Sequence, residues 1–92
     1  MSGMLFPSGA VVMTRGIEAE LGGELPLLLS LLRRHLSGDW GDLGASDRDA
    51  NRDALTHGGR ILSAYDVAGR SRVWIITEGD RSSTCILLPD EY

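Results

Sequence analysis

The sequence predicts a single α+β domain: a two-layer sandwich in the order β-α-α-α-β-β-β, with an antiparallel sheet of three to four strands. Three observations carry this. Residues 15–57 place apolar side chains at helix spacing between helix stop signals. Residues 60–88 hold three short apolar runs joined by Gly-containing links, the pattern of hairpins. A chain of 92 residues has room for one core. Helices followed by a meander pack as one helical layer on one sheet.

Residues 1–9 hold Gly3, Pro7 and Gly9 and read as a flexible lead-in, with the domain itself spanning 10–92. "AVVMT" (10–14) is β-branched and apolar and reads as an edge strand. Thr14 is placed to N-cap a helix over "RGIEAEL", and Gly22-Gly23 stops it. Pro26 suits the first turn of a second helix, where a missing N–H costs nothing. Leu28, Leu31, Leu32 and Leu36 form its apolar stripe. Arg33, Arg34 and His35 fall in its last turn, where positive charge favours the helix dipole, and Gly38 suits a left-handed end. "ASDRDANRDALTHGG" reads as a third helix with Ser46 as N-cap and Asp49 completing an approximate capping box. The strands follow: "RILSAYDV", a turn at Ala68-Gly69-Arg70, "RVWIITE", a turn at Gly79-Asp80-Arg81, then "STCILL". Along the middle strand Val73, Ile75 and Thr77 face one way and Trp74, Ile76 and Glu78 the other, so both sheet faces carry apolar residues.

Composition narrows function. The net charge is −4, which disfavours direct non-specific binding to nucleic acid. All nine basic residues are Arg, whose planar fork pairs carboxylates at two points. Cys85 is the single cysteine, within an apolar run, and reads as a buried thiol. No apolar run is long enough to span a membrane, and no basic-then-apolar leader opens the chain, so a cytoplasmic protein is expected.

Two segments stand out as sites. "HLSGDWGDL" sets Trp40 between Asp39 and Asp42. Trp40 reads as a plug over the end of the leucine-rich helix or as an exposed aromatic-acidic contact, a type of anchor common at interfaces. "TEGDRSST" gathers Glu78, Asp80 and Arg81 at a hairpin tip, either as a solvated ion-paired turn or as a group able to do acid–base or phosphate chemistry. His35 and His57 read as helix-end cations. No HxxxH or HExxH spacing points to a metal, and no phosphate-loop glycine pattern points to a nucleotide, so no cofactor is expected.

"SGDWGDL", "RILSAY", "WIITE" followed by "DRS", and the closing "ILLPDEY" together resemble a family of small bacterial proteins carried on plasmids, integrative elements and prophages. The resemblance covers about residues 10–92, and Gly79 stands where Ala is expected in many relatives. It implies a mobile-element setting and no activity. Small acidic proteins in that setting often bind and block host defence complexes, of the CRISPR or restriction type. The leading expectation is therefore a non-catalytic protein-binding module acting on a host complex, with Asp39, Trp40, Asp42, Glu78, Asp80 and Arg81 as contact residues. Two alternatives stay open: a homodimeric accessory or antitoxin-like regulator packed through the Trp74 face, and a small enzyme using Glu78, Asp80 and Arg81.

Overall fold

A computed structural model describes residues 3–67, 69 and 72–92. The elements are β1 (Ala10–Met13), α1 (Arg15–Leu21), α2 (Leu25–Leu36), α3 (Ala45–His57), β2 (Ile61–Asp66), β3 (Arg72–Thr77) and β4 (Ser83–Leu87), then a 3-10 turn over Pro89–Glu91. This is the α+β order that the sequence predicts. Ala68 and Arg70 of the expected first turn lie outside the described residues; Gly69 between them has φ of +71°.

The sheet runs β1-β4-β3-β2. β2, β3 and β4 form the expected antiparallel meander, with Ser63 opposite Ile75 and Ile75 opposite Ile86. β1 departs from expectation: it pairs parallel to β4, Ala10 beside Ser83 and Met13 beside Ile86, so the sheet is mixed. Hairpin signals report the direction of sequence neighbours only. The chain leaves β1 into three helices and re-enters the sheet as a meander, and that long return sets the direction of β1.

The helices cover one sheet face. Ile17, Leu21, Leu28 and Leu31 pack on Tyr65, Val73, Ile75 and Ile86. A second cluster joins Phe6, Leu36, Trp40, Ala54 and Ile61 at the β2 side. Burial at about 25 cal/mol per Å² of apolar surface makes these two clusters the main source of stability. Phe6 belongs to the core, and the Leu5 amide donates to the Leu36 carbonyl at 2.8 Å, so residues 5 and 6 of the lead-in are built into the fold.

Of the three α-helices only α1 has a side-chain N-cap. The Thr14 hydroxyl accepts from the Ile17 amide at 3.3 Å, as expected. The same hydroxyl donates to Glu91, whose other carboxylate oxygen accepts from the Gly16 amide at 3.1 Å. "DEY" is thus tied to the start of α1. α3 starts two residues earlier than a Ser46 cap would place it, at Ala45, with Gly44 as N-cap and no side-chain cap. Ser46 is consequently inside the helix and cannot cap it.

The free edge of β2 is closed without a strand. The Ala64 amide donates to the Trp40 carbonyl at 3.1 Å, and the Asp42 amide to the Ala64 carbonyl at 2.7 Å. Two residues along, the Asn51 side chain accepts from the Leu62 amide at 3.0 Å and donates to the Leu62 carbonyl at 2.7 Å. One carboxamide thereby supplies both groups that a neighbouring strand would supply. Gly41 sits at φ of +75°, and a Cβ there would lie 2.1 Å from the Ala64 carbonyl oxygen, so only glycine fits this approach.

Candidate functional site

The structure assigns the Gly-Asp-Trp loop chiefly to architecture. Trp40 is 4% exposed and packs in the second core cluster, so it is the plug of the two readings. Arg48 of α3 holds the loop by donating to the Leu43 carbonyl at 3.1 Å and the Gly41 carbonyl at 2.5 Å. Asp39 is gripped by the Arg34 fork at 2.8 and 3.3 Å, and that guanidinium holds its carboxyl below the usual carboxylate range. Arg34 in turn lies 4.6 Å over the ring of Tyr65, whose hydroxyl donates to the Asp39 carbonyl at 2.7 Å. Burial pushes the Tyr65 phenol up to about 12. The Asp42 side chain is exposed.

The hairpin tip is likewise a set of internal contacts. Glu78 pairs with Arg60 at 3.2 Å. Asp80 accepts from the Ser82 amide at 3.0 Å, and hydrogen bonds from Ser82 hold its carboxyl down. Arg81 donates to the carbonyls of Gly59, Glu78 and Gly79 through one nitrogen and to Ala54 through the other. Its guanidinium therefore caps the C-terminal end of α3, where the helix dipole favours a cation. It stands 5.5 Å from the Phe6 ring centre. These bonds occupy Arg81 with the fold, so the residue expected to meet a partner or phosphate serves as a staple between β3-β4 and α3.

The two acidic groups are not brought together. Asp42 flanks Ala64, and Glu78 pairs with Arg60. Four residues of extended chain separate those anchor points, about 13 Å at ~3.3 Å per residue.

Sequence reasoning missed a buried polar chain. His35 Nδ1 lies 2.6 Å from the Ser63 hydroxyl, and Nε2 lies 2.9 Å from the Thr77 hydroxyl. Thr77 and Thr84 hydroxyls are 2.7 Å apart, and Thr84 donates to the Ser8 carbonyl at 2.7 Å. Because Thr84 gives its proton to a carbonyl, Thr77 must donate to Thr84 and accept from His35 Nε2–H. Nδ1 is then the acceptor from Ser63. The chain specifies one neutral tautomer of His35. His35, Ser63, Thr77 and Thr84 are each 0% exposed, so this hydroxyl–imidazole pair is closed to any substrate. Burial pushes the imidazole down to about 4, so the helix-end cation expected of His35 is instead a neutral core residue. The signal available in sequence was the alternation of Ser63 with Ile61 and Tyr65, which puts a hydroxyl on a core-facing strand side.

Two surfaces remain open. The first is the sheet face away from the helices. Leu62, Trp74 and Cys85 are half-buried there, and Tyr92 meets Trp74 edge-on at 5.8 Å between ring centres. Arg60, Leu62, Trp74, Ile76 and Tyr92 line a groove of about 290 Å³. Arg60 spans its rim, donating to Glu78 at 3.2 Å and to the Tyr92 hydroxyl at 3.1 Å. The Trp74 indole N–H is shielded from solvent without a protein acceptor. Cys85 shares this face and is only partly buried, not the enclosed thiol expected; burial raises its thiol pKa. The second surface is the outer edge of β1, where all four residues are exposed.

Among the described residues no group of three or more His, Cys, Asp or Glu is placed to hold a metal ion, and no helix is long and apolar enough to cross a membrane. The fold and these surfaces define a small α+β protein with one closed and one open sheet edge. No protein-family model matches the chain, and no curated protein or solved structure shows detectable similarity to it.

Proposed function

We propose that this protein is a small non-catalytic protein-binding module of a mobile genetic element, acting in the cytoplasm on a host complex that targets nucleic acid. The observation that carries the binding reading is the groove of Trp74, Tyr92 and Arg60 on the open sheet face. Trp, Tyr and Arg are the residue types that dominate interface energetics, because each combines a large flat apolar area with a polar handle.

The choice of partner rests on charge and on the resemblance to mobile-element proteins. A net charge of −4, with Asp42 and Asp80 exposed near the groove-bearing sheet, complements the Arg/Lys channels of nucleic-acid-targeting complexes. The test is phage plaquing on cells carrying one defined CRISPR or restriction system, with and without the protein. Expression should raise plaquing by at least tenfold for a susceptible system. Trp74→Ser should abolish the effect while leaving the circular dichroism spectrum intact, and Trp40→Phe should retain it. Plaquing unchanged across representative systems would remove the defence reading, and a fully active Trp74→Ser variant would remove the groove from it.

A further inference from the structure

We infer that β1 is a self-pairing edge: two copies of this chain join antiparallel through β1 about a two-fold axis at Val12, making one continuous eight-stranded sheet. The proposal is independent of the groove and its partner.

The first observation is the contrast between the two sheet edges. The β2 edge is closed by the Trp40 and Asp42 backbone and by the Asn51 carboxamide. The β1 edge carries no such cover among the described residues. Its shortness is its one protection against pairing: its four residues, AVVM, carry no charge and no proline. Val11, Val12 and Met13 are 44%, 50% and 39% exposed.

The second observation is which backbone groups are free. The Ala10 amide donates to the Ser82 carbonyl and the Thr14 amide to the Ile86 carbonyl, both at 3.0 Å. In a parallel ladder alternate residues turn to the same neighbour, so Val12 also faces β4. Val11 and Met13 then turn their N–H and C=O groups outward.

These free groups choose the occupant and the register. A two-fold at Val12 sets Val11 opposite Met13 of the second copy, and Met13 opposite Val11. Each such pair exchanges two hydrogen bonds, which satisfies every outward group of both strands. A two-fold at Val11 or at Met13 satisfies only half of them. Val12 meets Val12 as a non-hydrogen-bonded pair, where side chains are closest and β-branched contacts are favourable. No charged residue lies within either strand to oppose the approach. A second copy presents the same two outward-facing residues, so by symmetry one register satisfies every one of these groups in both chains. The two-fold stands perpendicular to the sheet, so both helical layers lie on one side and both Trp74 grooves on the other.

The interface is small. Four residues per strand bury well below the ~800 Å² per partner of a standard interface, so the dimer is weak.

Sedimentation equilibrium from about 10 μM to about 1 mM tests this on wild type and Val11→Pro. Proline at this position removes an outward N–H and no ladder bond, so the monomer keeps its fold. Wild type should dimerise across this range, and Val11→Pro should weaken dimerisation at least tenfold. Register is read separately by Val12→Cys in a Cys85→Ser background, because Cys85 is the β4 neighbour of Val12. Val12→Cys should form an intermolecular disulfide, its Cα atoms lying about 4.5 Å apart across the two-fold. Met13→Cys in the same background should not, since its mate is Val11. A monomer at every concentration overturns the proposal. So does a dimer indifferent to Val11→Pro without the Val12→Cys cross-link. A wild-type monomer that captures a strand from an unlike protein, lost in Val11→Pro, likewise refutes self-pairing in favour of a foreign strand.

Discussion

Acidification from neutral pH should destabilise this protein first through His35, before the paired carboxyls begin to titrate. The imidazole is neutral and enclosed, hydrogen-bonded at both nitrogens, and its folded pKa is down at about 4. In the unfolded chain it returns to about 6.5. The sign follows from which state takes the proton. Above pH ~6.5 both states are neutral, and His35 adds no pH dependence. Between about 6.5 and 4 the unfolded state binds a proton that the folded state refuses, so stability falls as pH falls. Below about 4 both states are protonated and the loss levels off. Each pH unit is worth about 1.4 kcal/mol, so the full span amounts to roughly 3 kcal/mol. A domain of this size holds only about 5–10 kcal/mol in total. The assay is urea denaturation followed by tryptophan fluorescence at half-unit steps from about pH 7.5 to 4.5. His35→Gln supplies the control: it stays neutral, is less stable at pH 7.5, and should lack this slope. A wild-type slope reproduced in His35→Gln would refute the reasoning. So would an imidazole that titrates near 6.5 by NMR in the folded protein.

Other outcomes follow from the same packing logic. Arg81 holds α3 to the hairpin while its own backbone sits at φ of +62°, a region unfavourable to side chains. Arg81→Ala should cost about 2 kcal/mol through the lost carbonyl contacts, and Arg81→Gly about 1 kcal/mol less through relief of that φ, measured by denaturant midpoint. Asn51→Leu keeps the branched shape but strands the Leu62 amide and carbonyl, so a loss of roughly 2–4 kcal/mol is expected in the same assay, with early amide exchange at Leu62. Trp40→Ala should cost about 3–5 kcal/mol by opening the second core cluster. Trp40→Phe should cost much less, because the Trp40 indole N–H has no partner to lose. Its fluorescence spectrum should shift red, leaving Trp74 as the remaining emitter.

The parts legible in sequence were those written in neighbouring residues. The leucine spacing of α2, the Thr14 cap and the meander all depend on contacts within a few positions, and all appear as expected. The edge position of β1 was legible too, from a short β-branched run beside glycine. Its direction was not, because the partner of Ala10 is Ser83. The roles of Asn51, His35 and Arg81 were hidden for the same reason. Each is a polar side chain whose partners lie on another element, and nothing local distinguishes it from a solvated one. "GDWGDL" had the right residue types for two roles. The tight approach of Gly41 to the Ala64 carbonyl decides between them, by drawing Trp40 inward.

The parallel pairing of β1 with β4 also has a consequence for how the chain becomes folded. Those strands stand near opposite ends of the sequence, so their closure has the largest loop entropy in the molecule. On a ribosome β1 emerges before β4 and finds no sheet until β4 has been made. Helices and the β2-β3 hairpin have local partners and can form earlier. The apolar strand thus stays unpaired until β4 is made, and its docking is the late step that completes this domain. Refolding should show a slow phase that reports on β1, and chains truncated within β4 should be captured by chaperones that recognise short apolar strands.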